Sequence, residues 1–543
     1  MDIDKTSPRN EEENTSSSNM KRTTSHIRIV TSKGDSRIYY GAATETEGMP
    51  SLKELYRIGH GPSSSHTMGP ANAAKMFRSQ YFDGVDSYTV ILYGSLAATG
   101  KGHMTDVAIE SELKPKKVTF IWKPNETLMF HVNGMTIKAM KGETEMGQET
   151  YYSVGGGAII VDSELTKIKG PYKKTFQKVY NYSTMNALLR WCRKTGYKLS
   201  DFVYQSEGED IRSYLSEVWQ TMKHCVETGL QARGVLAGGL NLPRKAHDMY
   251  RAAQRSSAQM SRNAFLFAYT LAVAENNAGG ATVVTAPTCG ACGIVPGLLY
   301  FLQHHMDAID DEDIIDALAV AGVIGNIAKV NASISGAEAG CQAEVGVACA
   351  MAAGAATFLM GGSTEQIEYA AGMAIEHMLG LTCDPVKGLV QVPCIERNAM
   401  AAGRALECAE YALMTNTFHL ISYDEVVLTM ILTGEDIEDS LRETSRAGLA
   451  QTYNLDDMAR KQRWRDLKSQ LIGIQRRSSI NVQWGQHTEP GDSSEEQPAE
   501  HASEVQHVAE SPKQDSEGMP IDTRTEEDKM IMLNRNSDYD SFY

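Results

Sequence analysis

Three cysteines between residues 341 and 394 are the side chains in this sequence that could support metal chemistry. Cys341 follows a glycine, Cys383 precedes an Asp-Pro pair, and Cys394 follows a proline. Because glycine and proline interrupt helices, each thiol is predicted at a helix end or in a loop. Three thiolates that converge from separate elements suit an iron–sulfur cluster, or a zinc site with one open position.

The spacing of these cysteines does not by itself establish a metal site. Forty-one residues separate Cys341 from Cys383, and ten separate Cys383 from Cys394, so the pattern is not a CxxC knuckle. Three buried cysteines that act as small hydrophobic residues would have the same spacing. A metal site and a structural role therefore both stay open at this point.

The segment 59–67, with sequence GHGPSSSHT, places hydroxyl groups and a histidine before a predicted helix. Serine and threonine cap helix N-termini, and the free N–H groups of a first turn bind anions. One serine would be enough for capping, whereas Ser64, Ser65, His66 and Thr67 form a longer polar run. We predict an anion or substrate site here, with plain capping as the alternative.

A second glycine-rich loop, GSLAATGKGH, follows a predicted strand and ends at His103. Its glycines suggest a phosphate-binding loop. However, five residues rather than four separate Gly94 from Gly100, and Gly102 stands where Ser or Thr is required. A nucleotide-binding kinase is therefore disfavoured. A loop histidine can act as a general acid or base near neutral pH, so His103 is a catalytic candidate.

Periodicity divides the chain into an α/β N-terminal domain and an all-α helical catalytic domain, flanked by disordered tails. A helix, a loop and a second helix are predicted over 51–82, and strand-like alternation, including a strand at 126–132, recurs up to about residue 170. Helical periodicity dominates from about residue 206, and the predicted helices are 184–196, 213–234, 245–280, 312–333, 341–362, 364–380 and 395–414. The predicted divisions are a tail at 1–48, an α/β domain at 49–170, a connector at 171–205, a helical domain at 206–455 and an acidic tail at 456–543. Segment 464–477 is a candidate last helix.

Composition favours a cytoplasmic protein without nucleic-acid or membrane partners. Segment 488–543 carries 15 Asp and Glu against 4 Lys and Arg, which is −11 of the net charge of −16. The rest is nearly balanced, at about −5, and has no basic stripe. No apolar run has the length of a membrane span, and the N-terminus has no signal-peptide core. Nine cysteines in such a chain indicate thiols or metal ligands rather than disulfides.

Five segments together resemble the single-chain iron–sulfur L-serine dehydratases, which are also called L-serine ammonia-lyases. These segments are GPSSSHTMGP, GSLAATGKGH, TAPTCGACG, SGAEAGCQAEVG and TCDPVKGLVQVPCIERN, in the family's order. The resemblance spans about residues 50–455. It implies a small α/β domain followed by an all-helical catalytic domain.

The resemblance also implies a cofactor and a reaction. A [4Fe–4S] cluster would be held by Cys341, Cys383 and Cys394, with one iron free to bind the substrate. L-Serine would be dehydrated to pyruvate and ammonia without pyridoxal phosphate, in serine degradation and gluconeogenesis. Iron would polarise the hydroxyl group as a Lewis acid while a base removes the α-proton.

On this resemblance, His103 is the first choice for the base and His66 the second. The expected substrate-binding residues are Ser64, Ser65, Thr67, Arg397 and Asn398. Because the histidines lie in the α/β domain and the cysteines in the helical one, we predict an active site at the domain interface.

One feature departs from long single-chain members of that family, which can end in a cysteine that occupies the fourth iron. No cysteine follows Cys408 here, so we expect water or another ligand at that position, such as Cys289 or Cys292. Those two cysteines are otherwise expected to be structural, and Cys349 is expected in the core.

Other functions stay open on the sequence. A related lyase would act on threonine or cysteine, because a methyl group or a sulfur changes only the pocket. A non-catalytic protein would keep the cluster for structural purposes, although the histidines and the serine loop argue against this. A homodimer is compatible with the small-residue helices and the α/β domain.

Overall fold

The computed structural model describes residues 26–30, 36–40, 48–165, 176–306 and 308–453. The predicted disordered tails fall largely outside these ranges, and the candidate helix at 464–477 falls entirely outside them. Near the N-terminus, strands His26–Val30 and Ser36–Tyr40 pair in antiparallel fashion.

A five-stranded mixed sheet organises the N-terminal part. In spatial order its strands are Lys117–Lys123, Ser87–Tyr93, Gly134–Lys141, Thr144–Ser153 and Ile159–Val161. The first two run parallel, and the remaining neighbours are antiparallel. Every second side chain of Ser87–Tyr93 is buried, as its alternating sequence predicts.

Helices pack against this sheet around a hydrophobic core of their own. Their bounds are Gly69–Gln80, Gly94–Thr99, Thr105–Leu113 and Asp162–Leu165. Phe77 and Ile109 from the helices join Tyr88 and Ile137 from the strands in this core. The helices at 94–99 and 105–113 form the crossover between the two parallel strands, which parallel pairing requires. The turn between them carries His103.

Helices make up most of the C-terminal part. Their bounds are Met185–Thr195, Leu199–Glu207, Asp210–Gln231, Ala246–Ala253, Ala258–Ala278, Ile294–His305, Asp311–Asn331, Gly336–Ala339, Val347–Leu359, Thr364–Glu376, Cys394–Met414, Tyr423–Asp436 and Gly448–Tyr453. Short π-helical turns occur at Ser64–Met68 and Gln342–Gly346, and 3₁₀ turns at Leu52–Glu54, Val386–Gly388 and Asp439–Leu441.

A second and larger hydrophobic core lies inside this helical part. Its centre is the alanine-rich helix Val347–Leu359, of which all but the last two residues are buried. Among the described helices, the stretch Gln342–Leu359 has the length and composition of a membrane span, contrary to the sequence-based expectation. Because 83% of this stretch is buried inside the protein, the same features also fit a helix at the centre of a hydrophobic core.

A two-stranded ribbon connects the two parts near the serine loop. Strand Ile58–His60, just before that loop, pairs antiparallel with Thr282–Val284 from the helical part. The Gly61 N–H donates a hydrogen bond to the carbonyl oxygen of Ala281 at 3.1 Å and continues the contact. The serine loop is therefore fixed to the helical part from its first residue.

Several elements differ from the sequence-based prediction. The helix predicted from residue 51 is only a short 3₁₀ turn followed by strand Ile58–His60, where glycines interrupt the chain. The strand predicted at 126–132 is irregular, and Met129 within it is fully exposed. The prediction lacks the helices Leu199–Glu207, Ile294–His305 and Tyr423–Asp436, as well as the short helices Gly336–Ala339 and Gly448–Tyr453.

Candidate functional site

The three cysteines proposed as metal ligands are all buried, and each lies at a helix end or in a loop. Cys341 directly precedes the π-helical turn Gln342–Gly346, Cys383 lies in a loop, and Cys394 begins the helix Cys394–Met414. These positions agree with the expectation from the flanking glycines and prolines.

Two of the thiols and one carboxylate form a close group of ligand atoms. The Sγ atoms of Cys341 and Cys383 and a carboxylate oxygen of Glu344 all lie within 4.8 Å of one another. The close approach of the two thiols lowers the pKa of Cys341 and raises the pKa of Cys383 well above its ordinary value. The Cys383 thiol donates to Oε2 of Glu344 at 3.9 Å. Burial raises the pKa of Glu344 to about 8. Thiolate and carboxylate donors together suit a transition metal.

Cys394 lies in the same buried region, although it does not belong to that close group of described ligand atoms. Burial, followed by the neighbouring Cys341, raises the pKa of Cys394 well above its ordinary value. Arg397 lies one helical turn later, and its charge favours the ionised form of the Cys341 thiol. Its Nη1 also donates to the carbonyl oxygen of Thr382 at 2.7 Å. A positive charge is thus fixed among the thiols and stabilises their ionised forms.

The polar run of the serine loop forms the π-helical turn Ser64–Met68, in which His66 is completely buried. The Ser95 hydroxyl donates to the carbonyl oxygen of Glu443 at 2.6 Å, so it accepts from Nε2–H of His66 at 3.1 Å. That tautomer turns the Nδ1 lone pair of His66 toward the Ser65 hydroxyl at 2.9 Å and the Glu443 carboxyl at 3.3 Å.

His103 lies beside His66, with the two ring centroids 4.5 Å apart. Its Nδ1–H donates to the carbonyl oxygen of Thr99 at 3.1 Å, which leaves Nε2 as the basic atom. Burial lowers the pKa of His103 to about 4, and burial together with His103 lowers the pKa of His66 well below its ordinary value. Both imidazoles are therefore neutral near pH 7 and able to accept a proton.

Two glycines let the histidine turn approach the segment that follows Cys383. A Cβ atom on Gly102 would lie 2.6 Å from the carbonyl oxygen of Gly388. A Cβ atom on Gly388, whose φ is +67°, would lie 3.0 Å from Cβ of Thr99. A side chain at either position would separate the two segments. Gly102 and Gly388 therefore serve this contact between the two segments.

Glu443 joins the histidine pair to the cysteines. Its backbone N–H donates to the carbonyl oxygen of Cys383 at 2.6 Å, while its carboxyl faces His66. Burial, with the charge of Cys341 second, raises the pKa of Glu443 to about 8. Its φ of 54° is a left-handed conformation that a non-glycine residue adopts at a cost, and such residues cluster at functional sites.

Glu344 and Glu443 are both absent from the sequence-based prediction. No local pattern marks Glu443, because its partners His66 and Cys383 lie far away along the chain. Glu344 could have been found from the sequence, because it lies three residues after Cys341 in a glycine-flanked motif. On a helix, that spacing places the two side chains next to each other.

The serine and threonine hydroxyls predicted to bind substrate lie next to the histidines. Ser64 and Ser65 are buried in the turn, and the Ser65 hydroxyl faces the ring of His66. The Thr67 hydroxyl donates to the carbonyl oxygen of His103 at 2.7 Å and accepts from the Ser63 N–H at 3.1 Å. Thr67 therefore holds the two histidine loops together.

Asn398 uses its whole side-chain amide to join two segments of the helical part. Its Oδ1 accepts from the Gly293 N–H at 3.0 Å, and its Nδ2 donates to the carbonyl oxygens of Gly290 and Cys394, each at 2.8 Å. The amide thus fixes the TAPTCGACG loop on the helix that begins with Cys394.

The remaining cysteines named from the sequence are buried. Burial raises the pKa of Cys289 and Cys292, and the sulfur of Cys289 lies 3.9 Å from that of Met68. The Cys349 thiol donates to the carbonyl oxygen of Ala401 at 3.3 Å, inside the core expected for it. Within the described ranges, none of the three belongs to a close group of ligand atoms.

Unpaired polar atoms mark where a small polar ligand would find hydrogen bonds. Both amide atoms of Asn133, the hydroxyl of Ser335 and Oε2 of Glu443 are buried without a partner among the described residues. The carbonyl oxygen of Asn133 accepts from the Ser153 N–H, and the Ser153 hydroxyl donates to the carbonyl oxygen of Ser65. Because buried polar groups are almost always paired, these atoms indicate a site for water or a substrate.

Comparison with known proteins agrees with this arrangement. The family description "Serine dehydratase beta chain" matches residues 51–119, which include both histidines, and "Serine dehydratase alpha chain" matches residues 103–450, which include the three cysteines. The chain is 40% identical over 452 residues to "L-serine dehydratase" of Haemophilus influenzae, covering 74% of this chain and 99% of that protein.

Two further relatives have the same degree of similarity. "L-serine dehydratase 1" of Escherichia coli is 40% identical over 457 residues, covering 74% of this chain and 99% of that protein. "L-serine dehydratase" of Streptomyces coelicolor is 40% identical over 447 residues, covering 74% of this chain and 98% of that protein. The chain belongs to the serine dehydratase family, with alpha-type and beta-type regions in one polypeptide.

Proposed function

We propose that this protein is an L-serine ammonia-lyase that dehydrates L-serine and releases pyruvate and ammonia. The names of its curated relatives support this substrate. The observation that carries the proposal is the buried and neutral pair His66 and His103, which Glu443 connects to the segment of Cys383. Such an arrangement provides a proton acceptor and metal ligands within one site.

His103 is the proposed base, with its Nε2 as the atom that takes the α-proton of serine. Before substrate binds, an imidazole with a pKa near 4 is a weak base. A bound substrate carboxylate would raise that pKa, because a neighbouring anion favours the imidazolium form. The base would thus gain strength when the substrate is present. His66 stays the second candidate.

The proposed reaction breaks the Cα–H and Cβ–O bonds of serine. The α-proton passes to Nε2 of His103, the electron pair forms the Cα–Cβ double bond, and hydroxide leaves from Cβ. The product, 2-aminoacrylate, rearranges to an imine by proton transfer, and water then hydrolyses the imine to pyruvate and ammonia. No lysine Schiff base is needed.

The proposed cofactor is a [4Fe–4S] cluster held by Cys341, Cys383 and Cys394. The donor set fits this group, because the three thiols are buried and unpaired by disulfides, and Arg397 offsets their negative charge. When bound, the cluster would supply a Lewis-acidic iron for the serine hydroxyl. Zinc on the same thiolates is the other candidate metal.

Substrate anchoring is proposed for residues around the histidines. Ser64, Ser65 and the unpaired amide of Asn133 would bind the carboxylate and the ammonium group. Arg397 would contribute positive charge beside the thiols. We propose a supporting role for Thr67 and Asn398, because their polar atoms already hold the loops of the site.

The alternative substrates are threonine and cysteine, which differ from serine by a methyl group or a sulfur. A cytoplasmic location, a homodimer and a contribution to gluconeogenesis stay predictions from the sequence. A cluster-binding protein without catalysis is the alternative from another class, and the neutral histidine pair argues against it.

Anaerobic purification followed by an absorption spectrum, metal analysis and a pyruvate assay tests the proposal. Broad thiolate-to-iron absorption, pyruvate formation from L-serine and slower turnover of threonine and cysteine are expected. Cys341→Ser should remove both the colour and the activity. An active but colourless protein that contains zinc would refute the proposed cluster. A coloured protein that makes no pyruvate from L-serine would refute the proposed substrate.

A further inference from the structure

Glu344 has no role in the chemistry described so far, yet its carboxylate lies among the thiols. It belongs to the π-helical turn Gln342–Gly346, immediately after Cys341. One of its oxygens is within 4.8 Å of the sulfurs of both Cys341 and Cys383, and Oε2 lies 3.9 Å from the Cys383 sulfur. No other carboxylate in the described part of the chain forms a close group with thiols.

Hydrogen bonds to both oxygens fix the orientation of this carboxylate. The Thr288 hydroxyl donates to Oε1 of Glu344 at 2.8 Å, so Oε2 is the oxygen left to face the thiols. Across the described residues, no Lys, Arg or His nitrogen lies within 4.0 Å of Glu344 to form an ion pair. A buried carboxylate held beside thiols, with the charge of Arg397 nearby but without an ion pair to it, has the environment of a metal ligand.

Two glycines make room for this approach. A Cβ atom on Gly336 would lie 2.6 Å from Oε2 of Glu344 and 3.0 Å from the Cys383 sulfur. A Cβ atom on Gly290 would lie 3.1 Å from Oε1. A side chain at Gly336 would push the carboxylate and the thiol apart. The local sequence therefore permits a mixed sulfur and oxygen ligand set.

We propose that Glu344 is the fourth protein ligand of the cluster and binds the iron that the three cysteines leave open when no substrate is present. This inference rests on the proposed function. Carboxylate oxygen is a harder donor than thiolate, so it is more easily exchanged for the oxygen groups of a substrate. The ligand would hold the exposed iron in the resting enzyme and give way when serine binds.

Retention of iron under oxidation tests this role without measuring turnover. Wild-type protein, Glu344→Gln and the control Glu443→Gln are reconstituted anaerobically and then exposed to a mild oxidant. Iron content and the paramagnetic resonance signal of the three-iron cluster are followed over time. Glu443 is a control for a general charge effect, because it is also a buried carboxylate of the site, but among the described residues it forms a close group with His66 and His103 and not with the thiols.

We expect Glu344→Gln to lose its fourth iron about tenfold faster or more, since even indirect partners of metal ligands change affinity by 10- to 100-fold. Glu443→Gln should match the wild type. If Glu344→Gln fails to fold, Glu344→Asp serves instead and should lose iron at an intermediate rate, because its carboxylate is one carbon further from the metal.

Three results would overturn the inference. The first is equal iron loss in wild type and Glu344→Gln, and the second is equally fast loss in Glu443→Gln, which would indicate a general charge effect. The third is unchanged iron retention with a raised KM for serine, which would make Glu344 a substrate ligand. A wild-type protein without iron–sulfur absorption would instead refute the proposed cluster itself.

Discussion

Replacing His103 by glutamine separates a catalytic base from a structural histidine. Glutamine can still donate to the carbonyl oxygen of Thr99, but it cannot accept a proton at pH 7. Loss of a general base typically lowers the rate by about 10²- to 10⁴-fold. We expect His103→Gln to lower kcat by that amount while the iron–sulfur absorption stays unchanged.

The same variant has a calculable effect on stability. Folded His103 stays neutral down to pH about 4, whereas a histidine in the unfolded chain takes up a proton below about pH 6.5. Between these values the unfolded state binds more protons, so stability is fully present above pH 6.5 and falls as the pH decreases. From pH 7 to pH 5 this amounts to about 2 kcal/mol for one buried histidine.

His103→Gln should therefore lose about 2 kcal/mol less stability than the wild type between pH 7 and pH 5. Pulse proteolysis in urea at the two pH values measures the difference through the population of unfolded protein. His60→Gln is the control, because His60 ends the strand before the serine loop and is exposed. From pH 7 to pH 5, the His60→Gln variant should lose as much stability as the wild type.

Two outcomes would refute this reasoning. If His103→Gln keeps the wild-type kcat, the base is another group, and His66→Gln becomes the next variant to assay. If its stability falls with pH as steeply as that of the wild type, then His103 is not held neutral by burial, and the assigned tautomer loses its support.

Three further substitutions test the supporting contacts. Asn398→Ala removes three buried hydrogen bonds and should cost about 2–4 kcal/mol of unfolding free energy without raising the KM for serine, as urea titration and steady-state kinetics would measure. Thr67→Val keeps the shape of the side chain but loses its bond to the carbonyl oxygen of His103; we expect kcat to fall about tenfold with little change in KM, since a small misplacement of a catalytic group is costly. Tyr56→Phe leaves the carbonyl oxygen of Leu318 without its donor at 2.9 Å and should lower stability by about 1 kcal/mol with unchanged kcat.

Local patterns in the sequence predicted the fold classes and the positions of the chemical groups along the chain. The alternation in Ser87–Tyr93 and the periodicity in Asp311–Asn331 each correspond to one element of the structure. Flanking glycines and prolines were enough to locate the cysteines at helix ends, because these residues act on their immediate neighbours. The helix Ile294–His305, which the sequence did not predict, contains both proline and glycine, and these residues ordinarily argue against a helix.

Contacts between distant segments could not be predicted in the same way. Glu443 is next to His66 only because the chain returns after more than 370 residues, and nothing near Glu443 in sequence records that contact. Thr67 and Asn398 were interpreted as substrate ligands from their position in polar motifs. Their hydrogen bonds to remote backbone groups appear only when the loops are assembled.

The chemical state of the histidines depends on both parts of the protein. Burial is the main cause of the lowered pKa of His66 and His103, and the helical part contacts this region through Glu443 and Gly388. Without it, the two imidazoles would face water and return toward the ordinary pKa of histidine, where protonation competes with base catalysis. The same contacts join the histidine pair to the segment of Cys383 through Glu443. We therefore expect the histidine pair to be neutral only when the beta-type region is packed against the alpha-type region, which would give a physical reason for keeping both in one polypeptide.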